Sequence, residues 1–202
     1  LPLDDLRTVV LSSSGPLPGL PSGAMIEQFA FPRIDQHGRV AFKAHLLQGT
    51  GGVNSNNNEA IWAESAVDDL QFVARSGDVI VGTGFRFEDV EPGENLRMSG
   101  NGTVYFISGM GTISSPIVRN SAVFRFSKQA GLEIAVSAAP TGIPGIPFTN
   151  SGTTSNFLDF NGLGDVTVTG TGGTGYLLPF DGDVTLLPGS GPMINDRREV
   201  AL

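Results

Sequence analysis

The residues best suited to chemistry in this chain are carboxylates. Glu88-Asp89-Val90-Glu91-Pro92-Gly93-Glu94 groups four of them closely, and a hard cation such as Ca²⁺ takes six to eight oxygen ligands. The stretch lacks the D-x-[DN]-x-[DN]-G spacing of a calcium loop, so Glu88, Asp89, Glu91 and Glu94 are expected to form a solvated loop. Asp78 follows Gly77 in a turn, where it is expected to cap backbone groups. Gly170-Thr171-Gly172-Gly173-Thr174-Gly175 spells G-x-G-x-x-G. A dinucleotide site needs a strand before that string and a helix N-terminus after it. Tyr176-Leu177-Leu178-Pro179 follows instead, and a hairpin loop is expected.

Nucleophilic catalysis is poorly served. There is no G-x-S-x-G, no cysteine, and no base evident beside a serine. His37 and His45 are the only histidines, and His37 occupies a position that varies among the related stretches described below. Carboxylate pairs for glycoside hydrolysis are matched in space and not along the chain, so the sequence leaves that chemistry open. Trp62, Phe124 and Tyr176 would suit sugar stacking, but their shared place beside strand-like runs points to packing. Asn101-Gly102-Thr103 has the pattern of a glycosylation sequon and reads as a turn. No catalytic, cofactor-binding or metal residue is assigned, and a non-enzymatic protein is expected.

These residues are positioned by a stretch that returns along the chain. Ile34-Asp35-Gln36-His37-Gly38-Arg39-Val40-Ala41-Phe42 is echoed by Met98-Ser99-Gly100-Asn101-Gly102-Thr103-Val104-Tyr105-Phe106. It returns as Phe160-Asn161-Gly162-Leu163-Gly164-Asp165-Val166-Thr167-Val168 and as Ile194-Asn195-Asp196-Arg197-Arg198-Glu199-Val200-Ala201-Leu202. Asn, Asp and Ser bond to backbone groups two residues on and Gly accepts positive φ, so Asx-x-x-Gly is turn chemistry. The β-branched and aromatic residues after it predict a strand. Val40, Phe42, Ala44 and Leu46 then share one face, with Ala41, Lys43 and His45 on the other. In the second copy both faces are apolar, as in a sheet covered on both sides.

Two more apolar runs travel with that strand. One holds Trp62, Phe124 or Tyr176; the other begins eight residues later, at Leu70, Leu132 or Val184. Asp68-Asp69, Ala130-Gly131 and Asp181-Gly182-Asp183 fall between them as hairpin turns. Leu6-Arg7-Thr8-Val9-Val10-Leu11 matches the last run of a unit, and Met25–Phe29 and Phe85–Glu88 suggest an extra strand each. Gln48–Glu59, Gly77–Asn95, Gly109–Asn120 and Pro140–Asn156 read as loops, the first too flexible in composition to build a core.

With 28 glycines, 13 prolines and no helical period, the 202 residues predict an all-β protein. The expected organisation is one repeat domain, a piece of something longer, with units near 1–11, 12–76, 77–138, 139–188 and 189–202. Three or four strands per unit suggest a β-propeller-like array of small antiparallel sheets, with a β-sandwich as the alternative. Cut units at both ends predict marginal stability or association through open sheet edges. A net charge of −8 argues against nucleic acid or an anionic membrane as partner. No apolar run reaches membrane-spanning length.

Pro32-Arg33-Ile34-Asp35-Gln36-His37-Gly38-Arg39-Val40-Ala41-Phe42 resembles the Pro-x-Ile-Asn-x-x-Gly-x-Val-Ala-Phe stretch of bacterial tandem-repeat proteins described as NxxGxxAF-containing. Ala60-Ile61-Trp62 and Val73-Ala74-Arg75-Ser76-Gly77-Asp78 resemble further parts of such repeats. This sequence departs from the pattern at Ser99, Val168 and Arg198. The resemblance implies an exported surface protein, of a group joined to various C-terminal anchors, with no shared enzymatic activity. On this reading the chain is extracellular or cell-surface, needs no cofactor, and binds a protein or glycan through its variable loops. A propeller-type hydrolase or lyase acting on polysaccharide, and a purely structural spacer, are the alternatives.

Overall fold

The computed structural model describes residues 9, 17–90, 96–113 and 115–137, and the strand backbones at 158–160, 166–169, 175–178, 185–187, 193–194 and 200–201. Every regular element described is a β-strand. The first sheet runs in chain order through β1 (Ile26–Ile34), β2 (Val40–Leu46), β3 (Glu59–Glu64) and β4 (Leu70–Arg75). The second contains β5 (Val79–Ile80), β6 (Phe85–Asp89), β7 (Arg97–Met98), β8 (Val104–Thr112), β9 (Ser115–Ser127) and β10 (Gly131–Ser137). Its order is β10-β9-β8-β6-β5, with β7 also on β8. The third repeats the simple order with β11 (Leu158–Phe160), β12 (Val166–Thr169), β13 (Gly175–Leu178) and β14 (Thr185–Leu187). β15 (Met193–Ile194) and β16 (Val200–Ala201) form a final pair.

The Asx-Gly stretch is the turn of a β-hairpin. Asp35 N–H donates to Arg39 O at 3.0 Å and Gly38 N–H to Asp35 O at 3.1 Å. Gly38 takes φ +78°, the left-handed residue that closes a three-residue hairpin loop. Asp35 Oδ1 accepts the amides of His37 and Arg39, each at 2.9 Å. Ser99 replaces the Asx in the second copy, yet the turn is the same. Ser99 N–H reaches Thr103 O at 2.9 Å, Gly102 N–H reaches Ser99 O at 2.9 Å, and Gly102 has φ +86°. There Asn101 Oδ1 accepts the Thr103 amide at 3.0 Å. The pair that closes the hairpin is Ile34 with Val40, Met98 with Val104, Phe160 with Val166, and Ile194 with Val200. The turn at Arg198 lies outside the described residues.

Register follows the same rule further out. Phe42 faces Trp62, which faces Phe72; Phe106 faces Phe124, which faces Ile134; Val168 faces Tyr176, which faces Leu186. The central strands β2 and β3 of the first sheet are buried on both faces. Phe42, Ala44, Leu46 and Trp62 form one cluster with Val53, while Ala41, Ile61, Ala63, Val73 and Ala74 pack with Phe87, Val104, Phe106 and Phe124 of the second sheet. Tyr105 and Ile107 are buried as well, so β8 is covered on both sides.

Several expectations are corrected. The Gly109–Asn120 stretch is mostly strand: β8 and β9 stay paired from Val104 opposite Phe126 to Thr112 opposite Ser115. Gly109 and Gly111 are held extended within β8, whose other edge is lined by β6. Gly77–Asn95 likewise contains β5 and β6. The Gln48–Glu59 loop does contribute to the core, through buried Val53. Asn57 Oδ1 accepts from Asn54 N–H at 2.7 Å and Asn54 Oδ1 from Asn56 N–H at 2.9 Å, a set of local bonds that composition hides. The Met25–Phe29 strand is longer than expected, running to Ile34 through a bulge beside Phe31, whose φ is +50°. Of Leu6–Leu11 only Val9 is described, and Pro140–Asn156 lies outside the described residues.

Asp35 makes the turn pH-sensitive. Its side chain is 1% exposed and pairs with Arg39 at 2.6 Å. Burial pushes its pKa up, but the Arg39 side chain and the Arg39 and His37 amides outweigh that and hold it below 3.8. A depressed folded pKa gives stability that is present above 3.8 and lost as pH falls through the folded value. Asp35→Asn keeps an acceptor for both amides, so it is expected to cost little near neutrality and to flatten this acid limb. Asp35→Ala should cost about 1–3 kcal/mol at pH 7. Urea midpoints measured from pH 2 to 7 check both.

Candidate functional site

Antiparallel connection places the loops of the first two sheets at two ends. One end gathers the turns 35–39, 65–69, 99–103 and 128–130, and it is stitched together. Arg39 Nη2 donates to Gly100 O at 2.9 Å, Arg33 Nε to Leu96 O at 2.9 Å, and Lys128 Nζ lies 3.2 Å from Asp69. The Lys128 contact and a bond from Ser65 help hold the Asp69 carboxyl below its ordinary value, with the Ser65 hydroxyl the larger influence.

The opposite end carries the 47–58 loop, the 76–78 corner, the 81–84 turn and the tip of the β8–β9 hairpin. Asn54, Ser55 and Asn56 are exposed there, on a loop whose backbone is fixed by its own side chains. Val81 is 94% exposed and Ile113 52%; Ile113 N–H bonds Gly84 O at 3.2 Å, which brings the turn and the hairpin tip together. Beside them a cleft of about 540 Å³ lies between Val79–Thr83 and β9–β10, walled by Ile80, Phe124, Leu132 and Ile134. Arg125 and Glu133 adjoin it, but strand alternation sends their side chains to the other face. There they pair at 2.6 Å, and Glu133 and Tyr105 overcome burial to raise the Arg125 pKa.

The chemistry-bearing residues are dispersed. Glu88 lies on β6 and pairs with Arg86 at 3.0 Å. Asp89 ends that strand, and Glu91 and Glu94 lie outside the described residues. Among the described residues no group of three or more His, Asp or Glu is placed to hold a metal. Asp78 accepts from Arg75 at 2.8 Å, so its carboxylate holds a side chain where backbone capping was expected. His37 is an exposed turn residue. Trp62 and Phe124 are fully buried, which makes them core; the Tyr176 side chain lies outside the described residues. Gly170–Thr174 also fall outside, but the strands flanking them pair, Thr169 opposite Gly175, and a strand stands where a dinucleotide site needs a helix.

Sequence reasoning missed the charged residues inside the protein. Lys43 is 2% exposed, donates to Val90 O, and lies 3.3 Å from Glu59. His45 Nδ1 is 3.8 Å from Glu59, beyond hydrogen-bond length. Glu64, 1% exposed, accepts the Val40 amide at 2.9 Å and the Asp68 amide at 3.1 Å. A lysine between Phe42 and Ala44 of a predicted strand, in a chain with two lysines, was the available signal. These groups join strands to loops, and the loop end offers amides, hydroxyls and apolar side chains suited to holding a ligand.

No helix among the described residues is long and apolar enough to cross a membrane. No curated protein and no solved structure matches the chain. A family of unknown function matches residues 4–131, which cover the first sheet and the second as far as the β9–β10 turn. The chain therefore belongs to that family, DUF7453.

Proposed function

We propose that the chain is a non-enzymatic scaffold of repeated sheets, exported to the cell surface, that binds a protein or glycan through the loops at its open end. The observation that carries this reading is one closing pair and one aromatic register in successive sheets, joined by loops of unequal length. Rigid sheets with variable loops are a common setting for recognition. The order of β1–β4 and of β11–β14, and central strands β2 and β3 buried on both faces, support a propeller-like array; face-to-face packing of the first two sheets equally supports a sandwich. The resemblance to NxxGxxAF proteins supports export and display.

Ser55 and Asn56 test the reading, because their side chains are exposed while Asn54 and Asn57 hold the loop. The double variant Ser55→Arg/Asn56→Arg is expected to leave the urea midpoint within about 0.5 kcal/mol of the original stability. It should lower affinity at least about tenfold for whichever of a panel of immobilised polysaccharides and surface proteins the parent binds. Unchanged binding would remove this loop from the site. Polysaccharide cleavage by the parent, lost in Asp89→Asn/Glu91→Gln/Glu94→Gln with folding intact, would favour the hydrolase or lyase reading.

A further inference from the structure

The cleft beside the 81–84 turn is apolar inside and has a strand edge for one wall. Its volume of about 540 Å³ is of the size usual for ligand clefts. Ile80, Leu132 and Ile134 line it with Phe124, and all four pack on the core shared by the first two sheets. Val79, 55% exposed, and the still more exposed Val81 form its solvent side. Exposed apolar groups gathered around a concavity mark an interaction site more often than the same groups scattered singly. The polar groups at the cleft are already engaged. The Thr83 hydroxyl donates to Ile80 O at 2.7 Å and accepts the Phe85 amide at 3.1 Å. Arg125 and Glu133 pair with each other on the far face. Phe124 is 0% exposed, so no ring face is turned out for a sugar to stack on. A glycan needs directed side-chain donors and acceptors or an open aromatic face, whereas an apolar side chain needs neither.

The wall formed by Leu132–Ile134 belongs to an edge strand. β10 ends its sheet and, among the described strands, pairs with β9 alone. Along its other edge every second residue therefore presents an N–H and a C=O to any strand laid beside it. Pairing with β9 is regular from Gly131 to Ile134, and a bulge follows before Val136. The regular stretch of that edge is thus the stretch that walls the cleft.

We propose that the cleft is the anchor pocket of a peptide-binding site. An extended segment of a partner protein adds to the edge of β10 as a short strand and inserts one uncharged apolar side chain between Val79–Thr83 and β10. The proposal rests on the reading of the open end as a recognition site, and it narrows the partner from protein or glycan to an extended peptide. In strand addition the main-chain bonds supply affinity and the side-chain pocket supplies selectivity. The uncharged lining matches an uncharged anchor, because a charged one would give up its water with no partner to replace it.

The probe is a phage-displayed library of random linear peptides panned on the full chain. Enriched peptides are expected to share one Leu, Ile, Val, Met or Phe within a run of β-forming residues. The best of them, synthesised and followed by fluorescence anisotropy, should lose at least about tenfold in affinity when that residue becomes Asp. N-methylation of its amides, one at a time, should weaken binding at every second residue, the signature of strand pairing. Val79→Glu/Val81→Glu puts carboxylates on the solvent side of the cleft at exposed positions. It should keep the far-UV circular dichroism of the parent and bind the peptide at least about tenfold more weakly. No enriched sequence, a charged anchor, N-methylation effects without the two-residue period, or unchanged binding by Val79→Glu/Val81→Glu would each overturn the proposal. Binding of immobilised polysaccharide without any peptide would sink the peptide assignment and leave recognition at the open end standing; binding of neither would sink both. Peptide binding that survives Ser55→Arg/Asn56→Arg and is lost in Val79→Glu/Val81→Glu would support the cleft and remove the 47–58 loop from the site.

Discussion

Trp62→Ala is expected to remove about 3–5 kcal/mol of stability, the usual cost of truncating a fully buried large aromatic. Trp62 is 0% exposed and is the middle member of three stacked or edge-on rings. Its loss leaves Phe42 and Phe72 facing a void and takes the indole donor from Pro18 O. Domains of this size are typically stable by about 5–15 kcal/mol, so the variant should be partly unfolded at 37 °C. Urea denaturation followed by far-UV circular dichroism measures the effect, since the substitution removes the fluorescent probe. Val81→Ser is the control. Val81 is 94% exposed, and its replacement should move the midpoint by no more than about 0.5 kcal/mol. A Trp62→Ala cost below that of a surface change would mean that the aromatic row does not hold the first sheet together.

The place of Trp62 in that row, as a packing position shared with Phe124, was legible in the sequence because its cause is local. Two strands joined by a short turn must place residues at fixed offsets opposite each other, so the eight-residue step from Trp62 to Leu70 and from Phe124 to Leu132 survives as a pattern. The Asx-Gly turn was legible for the same reason, and Ser99 could stand in for Asp35 because Gly102 alone supplies the positive φ. What the sequence concealed depends on which face meets which neighbour. Ala41, Lys43 and His45 alternate with Phe42 and Ala44, and nothing local says that this second face lies against another sheet. The extended Gly109–Asn120 hairpin was hidden similarly, because its glycines are held straight by β6, a strand distant in sequence. The loop end was visible as length variation, but its rigidity was not. Asn54 and Asn57 had to be seen bonding to backbone before a Gly/Asn-rich stretch could be understood as anchored by Val53.

Lys43→Ala is expected to be nearly as severe as the loss of Trp62, at about 3–5 kcal/mol, because it breaks a buried ion pair from one side. Lys43 reaches from β2 of the first sheet to the carbonyl of Val90, which follows β6 of the second, and its ammonium is 3.3 Å from Glu59. Removing it leaves the 14%-exposed Glu59 carboxylate without its lysine and the buried Val90 without this donor. The two losses are separable. Lys43→Met fills the space and removes the charge, and adding Glu59→Gln removes the stranded carboxylate. The double variant should therefore be more stable than Lys43→Met alone by about 1–3 kcal/mol, while still short of the parent because the Val90 carbonyl has lost this bond. A double-mutant cycle in urea measures the coupling. If the two effects simply add, the ion pair contributes nothing to stability, and the Val90 bond is what Lys43 provides between the sheets. If the coupling is as large as expected, the first two sheets are joined by a charge as well as by their apolar faces.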